Sequence, residues 1–271
     1  MLKDLRLGVV QLTSTDNLAA NLKAVELALL SAHSAGADLI IFPENTLYFR
    51  LSGSKPLSGP AWGGPELKHL SQMAEDLKTP FLLTTPILKE DAVKFINATL
   101  LFAPGKSPKV VYSKIHLFDV DVPGAPPVRE SEHFEPGSQP AMIELAGWKV
   151  GLSICYDIRF AELYSHYAQK VDLILVPSAF LVPTGKAHWH VLLRARAIEN
   201  QCFVAAPAQA GEHFGEGGSR RQTFGHSLVV DPWGQVLVDL ENGPEVRVLD
   251  LKREKISEVR RQIPMESHRR L

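Results

Sequence analysis

The chain has only two cysteines, Cys155 and Cys202, in 271 residues. That scarcity excludes a disulfide-framed secreted fold and favours two free thiols. It also lacks a dominant charge: 29 lysines and arginines face 30 acidic residues, a formal net charge of −1. The positive charges are scattered, so no electrostatic footprint for nucleic acid or an acidic membrane surface stands out. The most basic stretch, "ESHRRL" at the end, reads as a solvated terminus. Long apolar runs are missing too. Nothing approaches the roughly 20 apolar residues of a membrane span, and the opening "MLKDLRLGVVQLT" holds too short an apolar run for a secretory leader. The expectation is a soluble, cytoplasmic protein with neither nucleic acid nor membrane as partner. No linker and no internal repeat divide the sequence, which predicts one domain over residues 1–271.

What is present is a large apolar fraction, 45% of the chain, enough for a full core. Short β-branched runs alternate with longer periodic segments, the pattern of an α/β fold. The strand candidates run from "LRLGVVQL" and "DLIIF" through "KVVYS", "KVGLSI" and "CFVAAP" to "VRVLDL". Between the first two, Leu18, Leu22, Val25 and Leu29 recur at helical spacing behind the capping residues Asp16 and Asn17, and Gly36 stops the helix. Further helices are expected around "PELKHLSQMAEDLK", "AELYSHYAQK" and "AHWHVLLRARAIEN". About eleven strands exceed what one open sheet comfortably holds, so two packed sheets with helices outside are expected. The segments 123–137 and 211–225 read as active-site or surface loops.

Three strand candidates end on a chemically useful residue: "LIIFPE" on Glu44, "VVYSK" on Lys114 and "GLSIC" on Cys155. Each alone is ordinary, because charged residues prefer water and a cysteine packs well in a core. Together they make a hydrolytic set. A thiolate can attack a carbonyl carbon but needs a base, since a free thiol is only a few per cent ionised near neutrality. Glu44 can take that proton and return it to a departing amine. Lys114 can stabilise the oxyanion, with the backbone N–H of Tyr156 as a second donor. Such a site requires no metal and no cofactor.

The segments "FPEN", "YSKIHLFDVDVPG" and "GLSICYDIRFAELY" resemble the signature segments of the nitrilase superfamily, the carbon–nitrogen hydrolases. The resemblance implies Glu44 as general base, Lys114 as oxyanion lysine and Cys155 as nucleophile. It also implies a second glutamate after the lysine, for which Glu130 fits and Glu132 is the neighbouring alternative. The implied fold is an α-β-β-α sandwich of two mixed sheets with outer helices, assembled as a homodimer or higher homo-oligomer. The segment 178–213 and "GHSLVVDPWG" resemble the Nit branch, which acts on amides of 2-oxo acids; within it, residues 192–209 are most similar to deaminated glutathione amidases, with the omega-amidases as the alternative. A small-molecule amide is therefore the expected substrate. A carbamoylase or nitrilase activity, or a non-catalytic interaction protein, would fit the same fold.

Other residues carry open readings. Arg159 could bind a substrate carboxylate bidentately or pair with Asp157 or Glu162. His116, Asp119 and Asp121 have metal-ligand chemistry but no ligand-rich segment to complete a site. Cys202 reads as core, and His188 and Trp189 could line a pocket or pack. The segment "GEGGSRRQTFG" lacks the strand–turn–helix setting of a phosphate cradle and suits a lid or a dimer-edge loop.

Overall fold

The computed structural model describes residues 3–52, 55–90, 92–123 and 127–270. Residues 124–126, part of the segment 123–137 read above as a loop, lie outside the described residues. In chain order the first strands are β1 (Leu5–Gln11), β2 (Leu39–Ile41), β3 (Phe81–Ile87), β4 (Ile96–Phe102) and β5 (Lys109–Ser113). Next come the short β6 (Asp119–Val120) and β7 (Val128–Arg129), then β8 (Ala141–Leu145), β9 (Trp148–Leu152), β10 (Leu173–Leu175) and β11 (Phe203–Ala206). The last are β12 (Ala210–Phe214), β13 (Arg220–Phe224), β14 (Leu228–Val230), β15 (Val236–Asp239) and β16 (Glu245–Leu251). The helices are α1 (Leu18–Ser34), α2 (Pro65–Leu77), α3 (Ala161–Ser165), α4 (Val182–Asn200), α5 (Arg253–Gln262) and α6 (Met265–His268).

Among the described residues, two six-stranded mixed sheets form, ordered β16-β1-β2-β3-β4-β5 and β15-β14-β11-β10-β9-β8. Period-2 alternation assigns each side chain its layer. Leu5, Leu7 and Val9 of β1, with Leu39, Ile41 and Leu82, join the core shared with the second sheet. Val10, Ile40, Phe81 and Leu83 point the other way and pack with Val25 and Leu29 of α1 and Leu67 and Leu70 of α2. On the far side of the second sheet, Trp189, Leu193 and Ala197 of α4 and Tyr164 of α3 cover its strands. The result is the expected α-β-β-α sandwich. Asn17 caps α1, its Oδ1 accepting from Ala20 N–H at 3.0 Å, and Pro65 opens α2, as the sequence indicated.

Several elements departed from expectation. β8, "AMIEL", is a short edge strand absent from the expected set; only Leu145 is buried, and Met142 and Glu144 are exposed. Segment 211–225 is mostly an antiparallel hairpin of β12 and β13. Its glycines and charges mask the strands because one face points to solvent. The helix around "AELYSHYAQK" is only one short turn, α3, and α4 begins five residues before "AHWHVLLRARAIEN".

Strand pairing continues beyond the strand ends into the segments of interest. Phe42 N–H donates to Leu82 O, Lys114 N–H to Asn97 O and Cys155 N–H to Pro177 O, at 2.9–3.0 Å. Gly137 closes on the second of these: its N–H donates to Lys114 O at 2.7 Å. A Cβ at 137 would lie 2.2 Å from the Ser113 carbonyl oxygen, so only glycine fits. Gly137→Ala should push the end of β5 out of place, lowering stability by about 1–3 kcal/mol and reducing turnover. Thermal unfolding and steady-state rates check this; an unchanged midpoint would mean that the backbone can give way at no cost.

Candidate active site

Glu44, Lys114 and Cys155 converge at one end of the sandwich, each nearly buried. Lys114 Nζ donates to Glu44 Oε1 at 2.9 Å and contacts both oxygens of Glu130, at 3.0 and 2.8 Å. Glu44 is fixed by two further donors, Asn97 Nδ2 on Oε1 at 2.7 Å and Ala179 N–H on Oε2 at 2.9 Å. Glu130 Oε2 accepts from Phe118 N–H at 2.8 Å. Of the two candidate second glutamates, Glu130 reaches the lysine, while Glu132 is exposed on the rim beside His133. Burial alone would push the Lys114 ammonium down, but the carboxylates of Glu130 and Glu44 outweigh it and hold the group well above the ordinary lysine value. Burial raises the Glu130 carboxyl above its usual range; Lys114 opposes that only in part, and the Glu44 charge works with burial.

Cys155 follows β9 at the start of a short 3-10 turn spanning Cys155–Arg159, with φ at +48°. A non-glycine residue in the left-handed region carries strain of order 1–3 kcal/mol, held here by the surrounding hydrogen bonds. The principal holder is Asp157, fully buried two residues on. Its Oδ2 accepts from Ile154 N–H and Tyr112 Oη, and its Oδ1 from the backbone and Nδ1 of His116, all at 2.7–2.9 Å. One carboxylate thus ties the cysteine turn to the segment just after Lys114. The N–H of Tyr156 donates to no described residue, which leaves it available to an incoming oxygen. Burial pushes the Cys155 thiol well above its ordinary value. The Glu44 carboxylate pushes the same way, and Lys114 and the Ala179 N–H only partly oppose them. The resting group is a neutral thiol beside a carboxylate that can take its proton as it attacks.

The cleft above these groups has a volume of about 550 Å³. Phe49, Phe118, the 127–134 segment, the start of α4 and residues 220–222 of β13 form its walls. Arg159 is not in it: its Nη1 lies 3.1 Å from His188 Nδ1, and its guanidinium sits over the rings of Tyr156 and Phe180. Neither ion pair considered for it, with Asp157 or Glu162, forms among the described residues. Trp189 is buried and donates to His226 O, and Cys202 is core. His116, Asp119 and Asp121 do not converge; they engage Asp157, Ser131 and Arg129 respectively. The described group that could hold a metal is His190 on α4, His226 in the loop before β14 and Asp239 on β15, where both Asp239 oxygens already meet an imidazole nitrogen at 2.8 Å.

Sequence reasoning missed Asn97, Asp157, Phe49 and Arg221. A polar Asn97 inside the apolar "INATLLF" and an acid directly behind the cysteine strand were visible signals, because a buried polar group requires partners. Phe49 and Arg221 come together only through tertiary folding.

The thiol's environment fixes a pH response. Peptide-resolved alkylation of Cys155 by iodoacetamide should titrate above the roughly 8.5 of a free cysteine. Removing the nearby negative charge with Glu44→Gln should lower that midpoint, and Lys114→Met should raise it. A wild-type midpoint below the free-cysteine value would overturn this picture.

Residues 6–261 match the family profile described as carbon-nitrogen hydrolase. The chain is 38% identical to a deaminated glutathione amidase of Synechocystis over 97% of both chains. It is 36% identical to the omega-amidase NIT2 of Mus musculus, covering 98% of this chain and 95% of that one. A solved structure of a mutant amidase from Nesterenkonia sp. AN1, bearing an acetamide moiety added covalently at its active-site cysteine, superposes with a TM-score of 0.77. Its identity is 25%, over 98% of this chain and 97% of that one. With the sandwich and the Glu-Lys-Cys cluster already in place, these matches make the chain a member of the carbon–nitrogen hydrolase family, a hydrolase acting on amides.

Proposed function

We propose that the protein hydrolyses the amide bond of a small 2-oxo acid amide, with deaminated glutathione as the lead substrate, through a thioester on Cys155. The observation that carries the reading is a cleft of about 550 Å³ above the triad. That is well inside the roughly 300–1,000 Å³ of small-molecule sites and leaves room for a dipeptide leaving group. In the proposed cycle, Cys155 Sγ bonds to the amide carbon as Glu44 takes the thiol proton. The oxyanion is met by Lys114 Nζ and Tyr156 N–H. Collapse breaks the C–N bond, and Glu44 returns the proton to the departing amine. Water, deprotonated by Glu44, then attacks the thioester and the thiol is regenerated, so that amide plus water becomes acid plus amine. Glu130 holds Lys114 in place. Side chains and water handle every proton in this cycle, with no metal or cofactor.

The second reading is an omega-amidase acting on 2-oxoglutaramate, favoured by the 36% identity to NIT2. We place the protein in the cytoplasm as a single domain that forms a homodimer. Val191 and Ile198 on the outer face of α4 are 62% and 46% exposed, and the turn carrying the 53% exposed Trp233 lies against Ile198.

Steady-state kinetics on the two amides separates the readings. Deaminated glutathione should give the higher kcat/KM, because contacts to the remote dipeptide lower the barrier at the carbonyl; equal values or a preference for 2-oxoglutaramate would establish the omega-amidase. Cys155→Ala should remain folded and bind substrate without turnover, and a tenth of the wild-type kcat remaining would end the covalent mechanism. Sedimentation should give a dimer that Ile198→Glu dissociates; a wild-type monomer would rule out the assembly.

A further inference from the structure

Arg221 stands on β13 in the wall of the reaction cleft. Its guanidinium lies over the ring of Phe49, with Cζ 5.1 Å from the centroid. Phe49 is itself braced edge-on by the His213 ring at 4.8 Å. His213 is fully buried on β12, directly opposite Arg221 in the hairpin register. Its Nδ1 donates to Ser14 O and its Nε2 accepts from Thr223 Oγ1, both at 2.7 Å. Burial lowers this imidazole to about 4, so near neutrality it is an uncharged, fixed support. The guanidinium thus rests on a ring that is itself braced from the side by a buried, fixed imidazole.

That guanidinium has no hydrogen bond and no ion pair with any described residue. None of the carboxylates of the described residues pairs with it, Glu132 on the cleft rim lying beside His133. Glu44 and Glu130 are taken up by Lys114, and Asp121 is held by both oxygens to Arg129 Nη2. Burial depresses the Arg221 group below the ordinary arginine value, against the pull of Glu130, Glu44 and Cys155, yet arginine stays charged near neutrality. A partly desolvated cation with five unused donors, placed over an aromatic ring, is complementary to a planar anion, and a carboxylate fits that fork bidentately. Arg159 is less suited. Its guanidinium already engages His188, and the recess it lines beside Cys155 holds about 10 Å³, room for one water at most.

We infer that Arg221, held over the ring of Phe49, is the anchor for the carboxylate on the acyl half of the substrate and so selects amides of dicarboxylic acids over simple aliphatic amides. The inference rests on the 2-oxo acid reading above and gives that reading a named recognition residue. An acyl-side anchor acts on every substrate sharing the 2-oxo acid end, whatever amine departs. It holds ground state and transition state alike, so its loss appears in KM more than in kcat.

The test compares wild type with Arg221→Gln, Arg221→Lys and Arg159→Ala on 2-oxoglutaramate, deaminated glutathione and the neutral amide butyramide. Arg221→Gln should reduce the ratio of kcat/KM for 2-oxoglutaramate over butyramide by about a hundredfold, as for truncating one side of a buried charge pair. Most of that loss should lie in KM. Arg221→Lys, which keeps the charge without the fork, should recover part of it. Independently of turnover, 2-oxoglutarate should raise the thermal midpoint of wild type and not of Arg221→Gln. A loss confined to deaminated glutathione would overturn the proposal by moving the anchor to the leaving group. Equal losses on all three amides would make Arg221 a structural residue. An undiminished Arg221→Gln beside a failing Arg159→Ala would transfer the role to Arg159. Wild type that cleaves butyramide but no carboxylated amide would instead defeat the substrate reading itself, and the 2-oxoglutarate midpoint shift would then decide on the anchor.

Discussion

A nearly buried ammonium group lies between two carboxylates at the end of the sandwich, with Lys114 Nζ 2.9 Å from Glu44 and 2.8 Å from Glu130. Without it, two neighbouring carboxylates out of reach of bulk water could not both stay ionised; one would take up a proton. With it, Glu44 can remain a base beside a thiol. The arrangement explains why the thiol stays protonated at rest. One cation serves two anions, so the local field disfavours a third negative charge on sulfur. Charge on the sulfur therefore develops only as it passes to the carbonyl, which couples proton removal to bond formation.

Holding these groups in register falls to atoms outside the reacting set. Asp157 joins the turn of Cys155 to the segment after Lys114 through four accepted hydrogen bonds. Asn97 and the Ala179 N–H fix Glu44 from two directions. These contacts link the ends of β2, β4, β5 and β9, so a displacement in either sheet is transmitted to the centre. Packing in the shared core thereby becomes a condition on chemistry.

Most of the sandwich was legible because each buried strand alternates in strict period between two apolar environments, as β1 does between the intersheet core and α1. The triad was legible because three strand ends carry complementary chemistry in one chain. The hairpin of β12 and β13 was not, since its solvent face is rich in charge and glycine and hides the alternation. Arg159 looked like the substrate cation through sequence proximity to Cys155, but in space it turns to His188 while Arg221, distant in sequence, enters the cleft. Adjacency along the chain says little about direction after a turn.

The seven-residue antiparallel pairing of β1 with β16 joins the first and last of the described strands. During synthesis, β1 can pair with β2 early, but its other edge stays open until residues 245–251 have emerged. At about 5–20 residues per second, that exposure lasts on the order of tens of seconds. An open ladder of N–H and C=O groups beside apolar side chains is a template for pairing with another chain. The strand pair that seals the finished sheet therefore leaves the incomplete one adhesive until β16 is free to pair.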